Sequence, residues 1–159
     1  MNEPISAAPA MEDTPTIAAI RRFLLLLEAG APPSNAELAR ALDELAMAYH
    51  EAPDGSPADD DRDPPGDDDI RTRRDRLGER FPDYGYYSFM DPLAPFDQDG
   101  LVGDAIDDLD EIAHELEDVI WRFENIGPDD AHWQFKFGYG AHWGRHLREL
   151  SLYLHAKIW

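Results

Sequence analysis

The 159-residue sequence predicts an all-α bundle of four to five helices, with a long aromatic loop and an acidic disordered loop between them. Two observations predict this fold class. Apolar residues recur at helical spacing in several segments, and capping or proline signals mark where those segments begin and end. The length suits one domain, which we place at residues 14–159 after a disordered, Pro- and Ala-rich tail over residues 1–13.

The first two helices are marked by their caps. Helix one begins at Thr14, since Pro15 occupies the first-turn position that proline tolerates, and it ends before the prolines at 32 and 33. Helix two opens with a capping box, Ser34–Glu37, and ends at residues 52–53. Their apolar stripes are Ile17, Ile20, Leu24 and Leu27, then Leu38, Leu42, Leu45 and Tyr49. The short Pro-rich turn between them predicts an antiparallel helical hairpin.

Two blocks of opposite charge follow. Residues 53–69 hold eight aspartates and one arginine, a composition that predicts a disordered, flexible loop. The next residues, on an expected short helix, include the arginines Arg71, Arg73, Arg74, Arg76 and Arg80. Because the two blocks are so close in sequence, we expect them to neutralise each other in part.

Residues 82–103 form an aromatic loop, whose main side chains are Tyr84, Tyr86, Tyr87 and Phe89. A long loop with so many rings is expected to pack over the helices and cover an edge of the core. The functional alternative is a lid or contact loop over the C-terminal helix. A short hairpin around Gly85 is a further structural alternative.

Helix four is expected from Asp104 to Asn125, because Asp104 is a suitable N-cap and a continuous apolar stripe follows it. The acidic residues of this helix are expected to form a solvated face. Gly127 and Pro128 break the helix. Asp129 or Asp130 should then cap a fifth helix that runs to the C-terminus.

The C-terminal segment, residues 129–159, holds four of the six histidines and three of the four tryptophans. Its core stripe is expected to be Trp143, Leu147, Leu150 and Leu154. Gly140 and Gly144 lie one turn apart, and small residues there would let another helix approach closely. The other shoulder is the candidate binding flank, which consists of Phe135, His142, Arg145, His146, Glu149 and Tyr153.

A divalent metal is one hypothesis for this flank. His142 and His146 are four residues apart, so both imidazoles can converge on one point, and Glu149 lies about one turn further on. The motif reads His-Trp-Gly-Arg-His, so the glutamate that serves as general base in zinc proteases is missing. The alternative is a pair of histidines that hydrogen-bond to carboxylates or carbonyls at a helix interface. We expect no cofactor.

Charge and composition exclude several classes of function. The net charge is −20 and the isoelectric point is near 4.4, which argues against binding to a nucleic-acid backbone or to an anionic membrane. The same field favours a basic protein partner. With no cysteine, the chain suits a reducing cytoplasm, and no apolar run is long enough to span a bilayer. No P-loop, Gly-x-Ser-x-Gly or kinase signature is present, so we expect a protein that is not an enzyme.

The stretch from residue 81 to residue 155 resembles a bacterial family catalogued as domain of unknown function 5063. The matching motifs are Phe81–Tyr87, Asp91–Leu93, Val102–Leu109 and the His142–His146 turn. The resemblance implies no activity and transfers no catalytic residue. It does imply that the aromatic loop, the start of helix four and the His142–His146 turn form one unit, so we expect them to be in contact.

The function that we expect is that of a small acidic cytoplasmic binding or regulatory protein. An immunity-like partner of a basic protein is one form of this hypothesis. A metal-binding protein or metal-dependent enzyme that uses His142 and His146 is the first alternative. The second alternative is a nucleic-acid mimic, in which aspartates take the place of phosphates.

Overall fold

A computed structural model describes residues 11–66 and 70–159, apart from the side chains of residues 70 and 71. Residues 1–10 of the predicted N-terminal tail and residues 67–69 of the predicted acidic loop lie outside the described residues. The helices are α1 (Pro15–Glu28), α2 (Asn35–Glu51), α3 (Ile70–Arg80), α4 (Ala105–Asn125), α5 (Pro128–Gly138) and α6 (Gly144–Ile158). A π-helical turn, Tyr139–Trp143, joins α5 to α6, and a hairpin of β1 (Tyr86–Phe89) and β2 (Leu101–Asp104) precedes α4.

The predicted helical fold class is confirmed, and α1 and α2 begin at the predicted caps. Thr14 Oγ1 accepts a hydrogen bond from the Ile17 amide at 3.3 Å. The capping box of α2 has both of its bonds, from the Glu37 amide to Ser34 Oγ and from the Ser34 amide to Glu37 Oε2. These bonds satisfy amides that the first helical turn leaves without partners.

The core lies around α4, which packs against α1, α3, α5 and α6, while α2 packs against α1 and α6. The buried stripe of α4 consists of Ala105, Leu109, Ile112, Ala113, Leu116, Val119 and Phe123. It meets the predicted stripe of α6, where Trp143, Leu147, Leu150 and Leu154 are buried. In the described part of the chain, no helix is long and apolar enough to cross a bilayer.

The prediction of a solvated acidic face on α4 was wrong for two of its acids. Asp108 and Asp110 are buried, and Arg73 of α3 donates from Nε to Asp110 Oδ1 at 2.5 Å and also binds Glu117. Arg74 contacts Asp104 at 2.7 Å and also contacts Asp107. Arg73 and Arg74 therefore neutralise acids of α4 and its N-cap, because α3 lies directly against α4.

The aromatic loop contains a hairpin, but not one that turns at Gly85. The strands are antiparallel, with Tyr86 opposite Asp104 and Phe89 opposite Leu101, so residues 90–100 form the connection. Tyr87 lies opposite Gly103, where a Cβ would overlap the tyrosine ring. The glycine is therefore needed so that Tyr87 can lie across β2.

The fifth helix differs from its prediction in two ways. It begins at Pro128 with Gly127 at the N-cap, whereas Asp130 is buried and accepts from the Ala58 amide at 2.8 Å and from Arg122 at 3.1 Å. It is also divided by the π turn. The π turn requires a glycine at position 144, because a Cβ there would overlap the carbonyl oxygen of Tyr139. The prediction that Gly140 and Gly144 admit another helix was therefore wrong.

The first half of the acidic loop is attached to α5. Gly55 has a φ of +66°, and its Cα lies so close to the backbone of Asp129 and Trp133 that a Cβ would overlap both. The Ser56 amide donates to the Asp129 carbonyl at 3.2 Å, and Lys136 Nζ lies 2.6 Å from Asp54 Oδ1. These contacts hold the described start of the loop over the junction between α4 and α5.

Candidate functional site

A chain of three polar side chains links the hairpin, α4 and α6. His146 Nδ1 lies 2.7 Å from Asp108 Oδ1, and the Tyr87 hydroxyl donates to the other oxygen of the same carboxylate. The Asp108 side chain is only 3% exposed and that of His146 is 23% exposed. This Tyr87–Asp108–His146 chain confirms the expectation that the aromatic loop, the start of α4 and the His142–His146 turn are in contact.

The environment of this chain shifts two pKa values. The hydrogen bond to Asp108 raises the pKa of His146, with burial acting in the opposite direction, because the carboxylate favours the imidazolium form. Burial, together with the bond to Asp108, raises the pKa of Tyr87 far above its usual range. Tyr87 therefore remains a neutral hydrogen-bond donor throughout the physiological pH range.

His142 lies at the exposed end of the same cluster. Its Nδ1 is 2.9 Å from Glu115 Oε1, its Nε2 is 3.8 Å from Glu111 Oε2, and its ring meets that of His146 edge-on at 4.9 Å. Both histidines thus bind carboxylates of α4, as the non-metal alternative predicted.

The remaining polar residues of the candidate flank are Arg145, Glu149 and Tyr153, and two of them, Arg145 and Tyr153, contact the hairpin. Arg145 Nε donates to Glu149 Oε1 at 2.7 Å, and its guanidinium lies 5.6 Å from the centre of the Phe89 ring.

The Tyr153 hydroxyl accepts from the Gly85 amide at 3.2 Å. The Tyr153 ring also contacts the rings of Tyr84 and Tyr87. Burial raises the pKa of Tyr84 to about 12, while Tyr86 is 79% exposed on the opposite side of the hairpin.

Phe135 does not lie on the flank. It is completely buried, and its ring is 5.1 Å from the ring of Trp143. The π turn adds a residue to the helical turn and rotates the residues after it, so Phe135 aligns with Trp143 and not with His142. Periodicity alone assumes an uninterrupted α-helix and therefore assigned Phe135 to the wrong face.

The geometry adds nothing to the metal hypothesis. Glu149 is held by Arg145, and each histidine already directs Nδ1 to a carboxylate. Among residues 11–66 and 70–159, no three His, Asp or Glu side chains are placed so that they could hold a metal ion. The expectation that the protein uses no cofactor stays a prediction.

An apolar groove lies beside the polar cluster, between the hairpin and α6. It has a volume of about 560 Å³ and is lined on one side by residues 87–93. The opposite wall is α6, whose lining residues include Arg145, Arg148, Leu152 and Ala156. A groove of this size, mainly apolar with a few charged groups, has the properties of a binding site.

The connection between β1 and β2, residues 90–100, is named here the docking loop. Leu93 is 93% exposed, Phe96 is fully exposed and Met90 is half-exposed. Local hydrogen bonds keep the loop folded, from the Ala94 amide to the Asp91 carbonyl at 3.0 Å and from the Gln98 amide to the Pro95 carbonyl at 3.0 Å. The loop therefore presents apolar side chains to solvent on an ordered backbone.

Sequence reasoning did not assign a site role to Asp108, Phe96 or Leu152. A signal for Asp108 was present, since it falls at helical spacing between Ala105 and Ile112 on the apolar stripe, where an acid needs partners. Phe96 is distinguished only as one of the rings of the aromatic loop, and no comparable signal marks Leu152. Their exposure depends on how the hairpin and α6 pack, which local sequence does not reveal.

The comparisons with known proteins show the family and the fold. The protein resembles BF1032 from Bacteroides fragilis, whose crystal structure aligns with a TM-score of 0.71 and 16% sequence identity, over 91% of this chain and 90% of that chain. No curated protein matches the sequence. Residues 16–158 match the family described as Domain of unknown function (DUF5063), and the chain belongs to that family.

Proposed function

We propose that this protein is an acidic binding protein whose docking loop inserts apolar side chains into a pocket on a partner protein with a basic surface. The observation that carries the proposal is the exposure of Leu93 and Phe96 on the ordered docking loop. Large apolar side chains that protrude together are typical of protein-binding surfaces, because burying them against a partner removes apolar area from water.

The charges around these anchors support a basic partner. Asp91, Asp97 and Asp99 lie in the docking loop and are exposed. Several arginines, in contrast, are occupied within the protein, as Arg73 and Arg74 are by acids of α4. The surface therefore retains much of the negative charge that gives the protein its net charge of −20. This charge would attract a basic protein and increase its association rate.

The cytoplasm is the compartment in which we place this interaction, since the chain has no cysteine. In the immunity-like form of the proposal, the partner is a basic toxin that the docking loop neutralises. The nucleic-acid mimic alternative relies on aspartates alone. It therefore differs from our proposal in giving Phe96 no role.

A site-specific cross-link tests the proposal. A photoreactive benzoylphenylalanine replaces Phe96 in one variant and Leu25 in a matched control, because Leu25 is 63% exposed but lies on α1. Each variant is irradiated in cells of the source organism, and the cross-linked proteins are identified. We expect a distinct basic protein to be cross-linked from position 96 and not from position 25.

The identified pair is then measured in purified form. We expect Phe96→Ser to weaken binding about tenfold or more and Leu25→Ser to leave it unchanged. Added salt should weaken the complex as the charges are screened. The proposal is wrong if positions 96 and 25 give the same cross-links, or if Phe96→Ser binds like the native chain. Binding that depends on Asp97 and Asp99 but not on Phe96 would favour the mimic.

A further inference from the structure

The groove between the hairpin and α6 runs along a free strand edge. Its lining includes consecutive residues from Tyr87 to Leu93, with Ser88 among them, and none of the residues of β2. It thus borders the edge of β1 that faces away from β2. The α6 wall, from Arg145 to Ala156, is about 16 Å long, which matches about five residues of extended chain.

The hydrogen-bond pattern of the hairpin identifies which groups face this edge. The Ala105 amide donates to the Gly85 carbonyl, which gives residues 85 and 105 the position of a hydrogen-bonded pair in the ladder, while the Gly85 amide donates to Tyr153. Hydrogen-bonded and non-hydrogen-bonded pairs alternate along an antiparallel ladder. The Ser88–Val102 pair is therefore of the second kind, and Ser88 directs its N–H and C=O outward. Neither group has a hydrogen-bond partner among the described residues.

We propose that this groove binds an extended segment of a partner protein, which adds as a strand to β1. The Ser88 backbone would form the hydrogen bonds, as in other cases of strand addition. Alternate side chains of the segment would enter the apolar space between Phe89 and Met90 on the hairpin and Leu152 and Ala156 on α6. The inference rests on the proposed binding function but assigns a different mode of contact, to a groove that shares Asp91 and Leu93 with the docking loop and does not include Phe96.

Charged side chains on the two walls of the groove indicate which side chains the bound segment should carry. Asp91 is on the hairpin wall, and Arg148 is on the α6 wall. Arg148 Nε donates to the Tyr139 hydroxyl at 3.0 Å, and no carboxylate in the described part of the chain pairs with this guanidinium. The preferred occupant is thus a segment with alternating apolar residues, an acidic side chain for Arg148 and a basic one for Asp91.

Random linear peptides displayed on phage are the probe for this groove. We expect selection against the full chain to enrich peptides with apolar residues at alternate positions. In a selected peptide, N-methylation of the residues whose amides face β1 should reduce affinity about tenfold or more, whereas N-methylation of the residues between them should not. Leu152→Asp should abolish binding, because it places a charge on the apolar α6 wall.

Ser88 provides a matched pair of variants. Ser88→Pro removes the outward amide, yet proline is tolerated on an edge strand when its nitrogen faces away from the ladder. Ser88→Ala keeps that amide. We expect Ser88→Pro to lose peptide binding and Ser88→Ala to retain it, with similar free energies of unfolding for both. Equal peptide binding by the two variants would overturn the strand-addition mode.

Other results would also overturn the inference. They are the absence of enriched peptides, enrichment of peptides with helical apolar spacing, and a dimer of the native chain that Leu152→Asp dissociates. The last result would mean that a second copy occupies the groove. Phe96 does not line the groove, so Phe96→Ser should leave peptide binding unchanged. Failure of the docking-loop proposal and failure of this one are therefore distinguishable.

Discussion

His146 Nδ1 lies 2.7 Å from Asp108 Oδ1, and this contact ties α6 to α4 beneath the hairpin. Because Tyr87 occupies the second oxygen of the same carboxylate, one buried acid holds two neighbouring elements. A buried carboxylate is stable only when its oxygens have such partners. The proposed docking loop and groove both depend on the position of β1, so this carboxylate also fixes the geometry of both surfaces.

Asp108→Asn should lower the free energy of unfolding by about 2 kcal/mol. The amide has the same shape but only one acceptor oxygen, so it cannot accept from both Tyr87 and His146. Urea unfolding measures the change. Asp43→Asn is the control, since Asp43 is exposed on α2, and it should change stability by less than about 0.5 kcal/mol. Equal effects of the two changes would contradict the assigned role of Asp108.

The pH dependence of stability should reflect His146. Its folded-state pKa is raised by Asp108, so its contribution is fully present below the unfolded value of about 6.5 and is lost as the pH rises through the folded pKa. The other groups that face or act on it are Tyr87 of β1, His142, Glu111 of α4 and Glu149 of α6.

The difference between the native chain and His146→Gln isolates this contribution. The difference in free energy of unfolding, measured by urea at about pH 5.5 and about pH 8.5, should be larger at the lower pH. His132 acts in the opposite sense, because burial lowers its pKa, but it is present in both proteins and cancels. A difference that is constant with pH would show that His146 does not titrate in contact with Asp108.

Gly103→Ala should destabilise the hairpin. The new Cβ overlaps the outer atoms of the Tyr87 ring, which must move away from Asp108, at a cost of about 1–3 kcal/mol. Near-ultraviolet circular dichroism should show a changed tyrosine environment, and urea unfolding gives the energy. Gly85→Ala is the control, because a Cβ at Gly85 meets no atom within 4 Å. If both variants kept the native dichroism, Tyr87 would not be packed on Gly103.

The buried arginine of α3 should be sensitive to loss of its partner. Asp110→Asn leaves the charge of Arg73 without its nearest buried carboxylate, and removal of one member of such a pair costs about 3 kcal/mol. Thermal and urea unfolding measure the loss. Asp75→Asn, at an exposed position on the same helix as Arg73, should have almost no effect. A small loss for Asp110→Asn would mean that the remaining contacts of Arg73, among them the one with Glu117, are enough to compensate its charge.

Local signals were sufficient to predict much of the fold. The caps at Thr14, Ser34 and Asp104 and the stripes that follow them act within a few residues, so sequence alone places α1, α2 and α4. The hairpin was not assigned because β1 pairs with β2 across the docking loop, and that pairing depends on packing against α6 as well as on strand propensity.

The candidate site was predicted in part. The family resemblance correctly placed the aromatic loop against α4 and the His142–His146 turn. It could not show that Asp108 is the residue that joins them. The faces of the C-terminal helix were predicted for an uninterrupted helix, and the π turn changed the alignment of Phe135 relative to His142. The spacing of apolar residues does not indicate a π turn, because such a turn can be recognised only from the backbone contacts in the structure.

Gly140 in the π turn and Gly144 directly after it give the sharpest test of this explanation. A Cβ at Gly144 overlaps the Tyr139 carbonyl oxygen, a backbone atom that cannot move without reshaping the turn. A Cβ at Gly140 meets no atom within 4 Å. Gly144→Ala should therefore cost about 2 kcal/mol or more, whereas Gly140→Ala should be neutral or stabilise by up to about 1 kcal/mol.

Gly144→Ala should also change the alignment of the two helices, since loss of the π turn would rotate α5 relative to α6. Trp143 is fully buried against Phe135, so its fluorescence should shift towards longer wavelength in this variant and not in Gly140→Ala. Peptide binding to the groove should weaken in parallel, because α6 forms one of its walls. Equal stability of the two alanine variants would contradict the requirement for glycine at position 144.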